Sequence, residues 1–134
     1  MVHDYWMHRD DRTFIEARLT GIQAVLDWFE KHLDAKTGIL GGLPYWSFVD
    51  WPDEWPWDNA KHLGGQPDGA AEGGSSIVTL QLVCSLDHAA ALFDAFGRPA
   101  AAAHSRDLAQ VLRAATRKLC WDEPRRLFAD TPER

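Results

Sequence analysis

Four of the seven tryptophans of this chain lie on one stretch, PYWSFVDWPDEWPWDN, where they alternate with carboxylates. An indole ring offers a broad apolar face, and a carboxylate offers hydrogen-bond acceptors. Pro44, Pro52 and Pro56 interrupt regular structure, because proline lacks the amide donor and disfavours helical geometry in the residue before it. The stretch is therefore predicted to be a loop. Indole rings on a loop need a cover, which is either a protein core or a ligand.

The composition indicates one folded domain with an acidic balance. The chain has 134 residues, of which 46% are hydrophobic and 25% charged, and its formal net charge is −6. This length is enough for one domain with a core. No run of Lys or Arg could contact the phosphate backbone of a nucleic acid, so nucleic acid is not expected as a partner.

The chain shows no targeting or cofactor signal. Its N-terminus lacks the pattern of a secretory signal, and no apolar stretch approaches the ~20 residues that a membrane span needs. We therefore expect a cytoplasmic protein without a membrane partner. Cys84 and Cys120 lie far apart without zinc-site spacing, and both are predicted to be buried thiols on helices. No metal or cofactor is expected.

The strongest helical pattern covers residues 12–33. Its apolar residues step by threes and fours along one face, which is the spacing of an amphipathic helix. This predicted core stripe consists of Ile15, Leu19, Ile22, Leu26, Phe29 and Leu33.

Further helices are predicted over residues 75–96 and 99–120, and residues 1–9 have the pattern of a helix end. Gly97 ends the first of these and Pro99 can open the next. The helix over 75–96 is apolar around much of its circumference, because Ile77, Cys84 and Ala91 extend its apolar side. Such a helix is predicted to be buried on several sides.

Tight and long connections alternate along the chain. Helices joined by tight turns run antiparallel, so the long loop 34–74 and the C-terminal tail 121–134 are predicted to emerge at the same end of the helices. Long loops without regular structure tend to be functional. The fold class is therefore all-α, built of antiparallel helical hairpins. So few helices cannot cover every apolar stripe, which predicts a segment of a larger helical array.

The sequence resembles the catalytic domain of bacterial α-L-rhamnosidase-like glycoside hydrolases, a six-hairpin (α/α)6 toroid, over residues 1–134. The blocks that carry the resemblance are YWMHRDD at 5–11, VLDWFEKHLDAKTGILG at 25–41, LPYWSFVDW at 43–51, GGSSIVTLQ at 73–81 and LFADTP at 127–132. The resemblance implies a glycosidase with an inverting acid/base mechanism, of which this chain would form about a quarter of the toroid. It also implies that the long loops line a sugar pocket.

The resemblance implies that both catalytic carboxyl groups lie on loops outside these residues. Glu54 and Glu72 lie in the long loop but match neither catalytic motif, so no catalytic residue is assigned. The isolated chain is expected to be inactive.

The binding part of the pocket is assigned to Trp46, Asp50 and Trp51. Sugar rings stack their C–H faces on indole and donate hydroxyl hydrogen bonds to carboxylates. Trp55 and Trp57 could line an outer subsite or pin the loop.

Two other classes of protein stay open. One is a carbohydrate-binding module that uses the same loop without hydrolysis, and the other is a helical interaction module whose apolar stripes dock a partner. The expected partners are a rhamnoside or related glycoside, and either the rest of a toroid or a second copy that covers the exposed helix faces.

Overall fold

The computed structural model describes residues 1–133 and contains five helices and one short hairpin within them. The helices are α1 (Val2–His8), α2 (Arg12–Glu16), α3 (Leu19–Glu30), α4 (Ser76–Ala95) and α5 (Pro99–Cys120). The strands are β1 (Trp121–Asp122) and β2 (Leu127–Phe128), which pair antiparallel. The predicted all-α class with antiparallel helical hairpins is confirmed.

The core stripe predicted over residues 12–33 faces the core, but the helix that carries it is broken. All six of its residues belong to or pack against one core cluster. The single helix expected there is two, α2 and α3, separated at Ala17 and Arg18, and α3 ends at Glu30. The Arg18 guanidinium donates to the Phe14 carbonyl (3.0 Å) and lies over the Phe14 ring. These local contacts accompany the break between α2 and α3, and the spacing of the apolar residues does not predict them.

Helices α4 and α5 form an antiparallel hairpin. Asp94 pairs with Arg106 at 2.6 Å, and Asp87 pairs with Arg113. Because the earlier residue of α4 pairs with the later residue of α5, the two helices run in opposite directions. Gly97 ends α4 with a φ of +69°, and Pro99 is the first residue of α5. Both turn signals therefore act as the sequence predicts.

One side of α4 stays uncovered among the described residues, which corrects the expectation that this helix is buried on several sides. Cys84 and Ala91 are exposed, whereas Leu86 and Phe93 are buried. Cys84 is thus not the buried thiol that the sequence suggested, although Cys120 is buried. Within residues 1–133, α4 is long and apolar enough to cross a membrane by length and composition, contrary to expectation. Half of its most apolar window is buried inside the protein, and the core helix of a globular protein meets the same criteria of length and composition.

The long loop and the C-terminal segment meet at the N-terminus of α4. The Ser76 N–H donates to the Asp130 carbonyl (2.8 Å), and the Ser76 hydroxyl donates to the Ala129 carbonyl (2.7 Å). On the loop side, the Leu40 N–H donates to Thr79 Oγ1 (3.2 Å). The two long segments therefore emerge at one end, as predicted. The tail is more ordered than expected, because residues 121–128 contain the β1–β2 hairpin.

Candidate functional site

The loop between α3 and α4 closes on itself at Gly65. The Gly65 carbonyl accepts hydrogen bonds from the N–H groups of Val49 (2.8 Å) and Asp50 (3.3 Å), and the Gly65 N–H donates to the Trp55 carbonyl (2.9 Å). Gly65 has a φ of +63°, and a Cβ there would lie 2.5 Å from the Asp50 carbonyl oxygen and from a Phe48 ring carbon. Glycine is required because a side chain would clash with the backbone. The two halves of the loop are thereby held together.

Three of the four loop tryptophans form one cluster, which we call the indole cluster: Trp46, Trp51 and Trp57. Their ring centroids are 6.2 Å apart for Trp46 and Trp51, 6.3 Å for Trp46 and Trp57, and 6.2 Å for Trp51 and Trp57. Phe48 packs against Trp46 at 5.4 Å and against Trp51 at 5.2 Å. Trp46 Nε1 also donates to the Gly64 carbonyl (2.9 Å). Aromatic pairs at these distances stabilise the loop.

The indole cluster is only half covered. The exposed fraction is 49% for Trp46, 54% for Trp51 and 45% for Trp57. The rings thus cover one another in part, and the rest of their apolar surface faces solvent. Such surface on a loop is what a ligand or partner can cover.

Asp50 lies at the edge of this cluster and is exposed. Its Oδ1 atom accepts a hydrogen bond from the N–H of Trp51 (2.8 Å), which fixes the carboxylate beside that residue. Within residues 1–133, Oδ2 of Asp50 has no hydrogen-bond partner. One acceptor oxygen therefore remains for a ligand.

Trp55 lies apart from the indole cluster, in a separate cleft. This open cleft of about 320 Å³, the Trp55 cleft, is bordered by the loop residues Glu54, Trp55, Asp58, Lys61, Asp68 and Glu72. The N–H groups of Lys61 (3.1 Å) and Ala60 (2.8 Å) donate to Asp58 Oδ1 and lower the pKa of that carboxyl. The two residues predicted for an outer subsite are thus separated, since Trp57 joins the indole cluster.

A second open cleft, of about 510 Å³, lies where the loop meets the C-terminal segment. This Asp34 cleft is bordered by several glycines and by Asp34, Thr37, Glu72, Thr131 and Glu133. The Thr37 N–H (2.7 Å) and hydroxyl (2.9 Å) donate to Asp34 Oδ1 and, with the Lys36 N–H, lower the pKa of Asp34. Asp34 is therefore ionised at neutral pH.

Sequence reasoning did not assign the Asp34 cleft. Glu72 matched no catalytic motif, so it was not assigned to a site. One feature of the sequence did point to this cleft. The loop and the tail were predicted to emerge at the same end of the helices, and Glu72 and Glu133 both border the cleft there. Within residues 1–133 no group of three or more His, Cys, Asp or Glu side chains could hold a metal ion.

An apolar groove borders the other edge of the indole cluster. This aromatic groove of about 210 Å³ lies between α3 and α4 and is bordered by Trp28, Phe29, Leu43, Tyr45, Trp46 and Phe48. Trp28 and Tyr45 pack with their centroids 5.7 Å apart. Trp46 therefore takes part in both the indole cluster and the groove.

Fold and site together define a class of protein: antiparallel helical hairpins with an aromatic loop and carboxylate-bearing clefts at one end. No protein-family model matches the sequence, and no curated protein matches it significantly. Among solved structures, the chain is similar to the GH78 family rhamnosidase of Bacillus sp. GL1, with a TM-score of 0.78 and 24% sequence identity over 97% of this chain. The chain spans only 12% of the length of that rhamnosidase. The resemblance predicted from the sequence is confirmed at the level of fold.

Proposed function

We propose that this chain is a sugar-binding segment of a glycoside hydrolase that resembles α-L-rhamnosidase. The observation that carries the proposal is the half-exposed indole cluster beside Asp50, on a fold shared with part of a rhamnosidase. In this proposal, helices α1 to α5 contribute two hairpins to an (α/α)6 toroid.

The proposed binding chemistry uses the exposed surface of the indole cluster and the carboxylate of Asp50 beside it. The C–H face of a deoxyhexose such as rhamnose would stack on exposed indole surface of Trp46 or Trp51. A ring hydroxyl would donate a hydrogen bond to Asp50 Oδ2, whose partner oxygen is held by the Trp51 N–H (2.8 Å). An apolar face and a fixed acceptor are the two features by which proteins orient sugars.

Hydrolysis requires groups that we do not assign to this chain. An inverting glycosidase holds its acid and its base ~6.5 to 9.5 Å apart, on opposite sides of the scissile bond. No residue here matches the catalytic motifs of the rhamnosidase-like family. The chain by itself is therefore proposed to bind sugar without turnover, because ground-state binding alone does not accelerate hydrolysis.

Titration of the chain with L-rhamnose, followed by tryptophan fluorescence and calorimetry, tests this function. We expect a dissociation constant around the millimolar range and no hydrolysis of an aryl α-L-rhamnoside above background. Trp51→Ala should remove most of the fluorescence change, and Asp50→Asn should weaken binding several-fold. Trp6→Phe, on α1 and far along the chain from the loop, is the matched control and should change neither. Absence of binding, or binding unaffected by Trp51→Ala, would contradict the proposal.

The helical interaction module is the second candidate. The aromatic groove favours it, because Tyr45 and Phe48 expose apolar surface there. Rhamnose titration separates the two functions, since a module that binds only protein surfaces leaves the fluorescence of the loop unchanged at all sugar concentrations.

A further inference from the structure

Two stacked histidine rings attach α1 to α4, and we call this pair, His3 and His88, the histidine stack. The ring centroids lie 4.3 Å apart, and the ring planes are inclined by only 6°. Trp6 packs edge-on against His3 (6.2 Å) and against Phe96 (6.3 Å). None of the residues of α1 is fully buried. The attachment of α1 therefore depends on a few ring contacts.

The geometry of the histidine stack does not suit a shared metal ion. The lone pair of an imidazole nitrogen lies in the plane of its ring. Because the two planes are nearly parallel and stacked, an ion midway between the rings would lie outside both planes. The rings thus meet face to face, which is a contact that neutral aromatic rings make.

Asp4 brings a carboxylate close to the histidine stack, but this carboxylate already has a partner. Its Oδ1 atom lies 3.6 Å from His3 Nδ1, and its Oδ2 atom lies 2.7 Å from the amino group of Met1. The Met1 amino group is the main cause of the lowered pKa of Asp4. On the other helix, Asp87 precedes His88 and pairs with an arginine of α5. Neither carboxylate is free to balance an additional proton.

The remaining titratable and charged groups that face this region come from α2 and α4. Asp11 of α2 accepts a hydrogen bond from a tyrosine hydroxyl of α1 (3.3 Å). Arg12 of α2 lies over the Phe96 ring (4.4 Å) and adds a positive charge. The Cys84 thiol lies one turn before His88 on α4. The surroundings therefore do not offset two positive charges on the rings.

Protonation of both rings turns the contact from attractive to repulsive. One imidazolium ion can stack on a neutral imidazole, but two such ions with centroids 4.3 Å apart repel each other. His3 Nδ1 is buried, and within residues 1–133 it has no hydrogen-bond partner, so a charged His3 ring is poorly solvated while α1 is docked. Both costs disappear when α1 moves away from α4 and the rings enter water.

We infer that the histidine stack is a pH-sensitive switch, which docks α1 on α4 at neutral pH and releases it when both rings are protonated. Histidine is the side chain whose ordinary charge change falls between about pH 5 and pH 8. A helix of seven residues is not stable by itself in water, so the released α1 unfolds and uncovers Trp6 and Phe96. This inference does not depend on the proposed sugar-binding function.

Hydrogen exchange of the whole chain, measured by mass spectrometry, tests the switch. The Tyr5 N–H donates to the Met1 carbonyl (2.9 Å), and the amides of residues 5–8 report whether α1 is formed. After correction for the effect of pH on intrinsic exchange, their protection should fall about tenfold or more between about pH 7.5 and pH 5. The amides of α4 should keep their protection over the same range, which separates release of α1 from unfolding by acid.

Replacing one histidine by phenylalanine keeps a flat ring in the stack and removes the ability of that ring to take up a proton. His88→Phe and His3→Phe should each hold the protection of α1 within about twofold between the two pH values. His8→Gln removes another histidine, exposed in the last turn of the same helix, and should retain the full fall. The switch is overturned if α1 keeps its protection at pH 5, if α4 loses protection to the same extent, if the fall persists in both phenylalanine variants, or if His8→Gln abolishes it.

Discussion

At the scale of single residues, Gly65 holds the two halves of the loop together. Gly65→Ala would force a side chain into a left-handed conformation and within 2.5 Å of the Asp50 carbonyl oxygen. We expect it to destabilise the loop by about 1 to 3 kcal/mol, the usual cost of such backbone strain. Urea unfolding followed by tryptophan fluorescence measures this cost, because the indole cluster lies on the affected loop.

Gly21→Ala is the control for this prediction. Gly21 lies within α3, and apart from its chain neighbours and the backbone of that helix no heavy atom lies within 4 Å of a Cβ placed there. Alanine in a helix interior is favoured over glycine, so this variant should be more stable by roughly 0.5 to 1 kcal/mol. Equal stability of Gly65→Ala and the unmodified chain would show that Gly65 does not close the loop as described.

At the scale of elements, one histidine links α3 to α5. His104 Nε2 lies 2.8 Å from Oε2 of Glu30, and this hydrogen bond raises the pKa of His104 above its ordinary value of 6.5. A raised pKa in the folded state means that the pair contributes its full stability below the unfolded pKa and loses it as pH rises through the folded pKa. His104→Gln should therefore lower the free energy of unfolding at about pH 5.5 and have less effect at about pH 8.5. The expected loss is ~0.2 to 1 kcal/mol, because the pair is half exposed.

Arg106→Gln serves as the comparison for the histidine. It removes the ion pair with Asp94 (2.6 Å), which joins α5 to α4. Arginine stays charged over this pH range, so the effect of Arg106→Gln should be the same at both pH values. A pH-independent effect of His104→Gln would contradict the assignment of the titrating pair.

At the scale of the whole molecule, apolar surface on α3 and the loop is expected to cause self-association. Val25 is 56% exposed and borders an open apolar hollow of about 440 Å³ together with Trp28, Phe29 and Tyr45. Contiguous exposed apolar surface promotes association in water. Sedimentation velocity should show a mass that rises with protein concentration, and Val25→Glu should shift the distribution toward monomer.

Val111→Glu is the matched control for association. Val111 is 59% exposed on α5, so the substitution adds the same charge at a similarly exposed valine on another helix. It should leave association unchanged. Monomer at every concentration, or an equal response to both substitutions, would show that the α3 surface is not the contact.

The sequence was sufficient for the core-facing stripe and for helices α4 and α5, but not for the break between α2 and α3. The core stripe from Ile15 to Leu33 faces the core in the structure, and α4 and α5 lie within one residue of the ranges predicted for them. Turn residues such as Gly97 and Pro99 act over a few residues, so their effect can be predicted without knowledge of the fold. The meeting of loop and tail followed from the same reasoning, because tight turns impose antiparallel directions.

The tertiary structure decided the arrangement of the candidate site. Nothing in the spacing of the four loop tryptophans indicates that Trp46, Trp51 and Trp57 gather while Trp55 lines a separate cleft. A loop without a periodic pattern of apolar residues takes its conformation from contacts between residues distant in sequence, such as the backbone hydrogen bond from Val49 to Gly65. For the same reason Glu72, which matches no motif, borders both clefts. Local pattern specifies helices because their hydrogen bonds are local, whereas a site built on long loops depends on which distant backbones can approach one another.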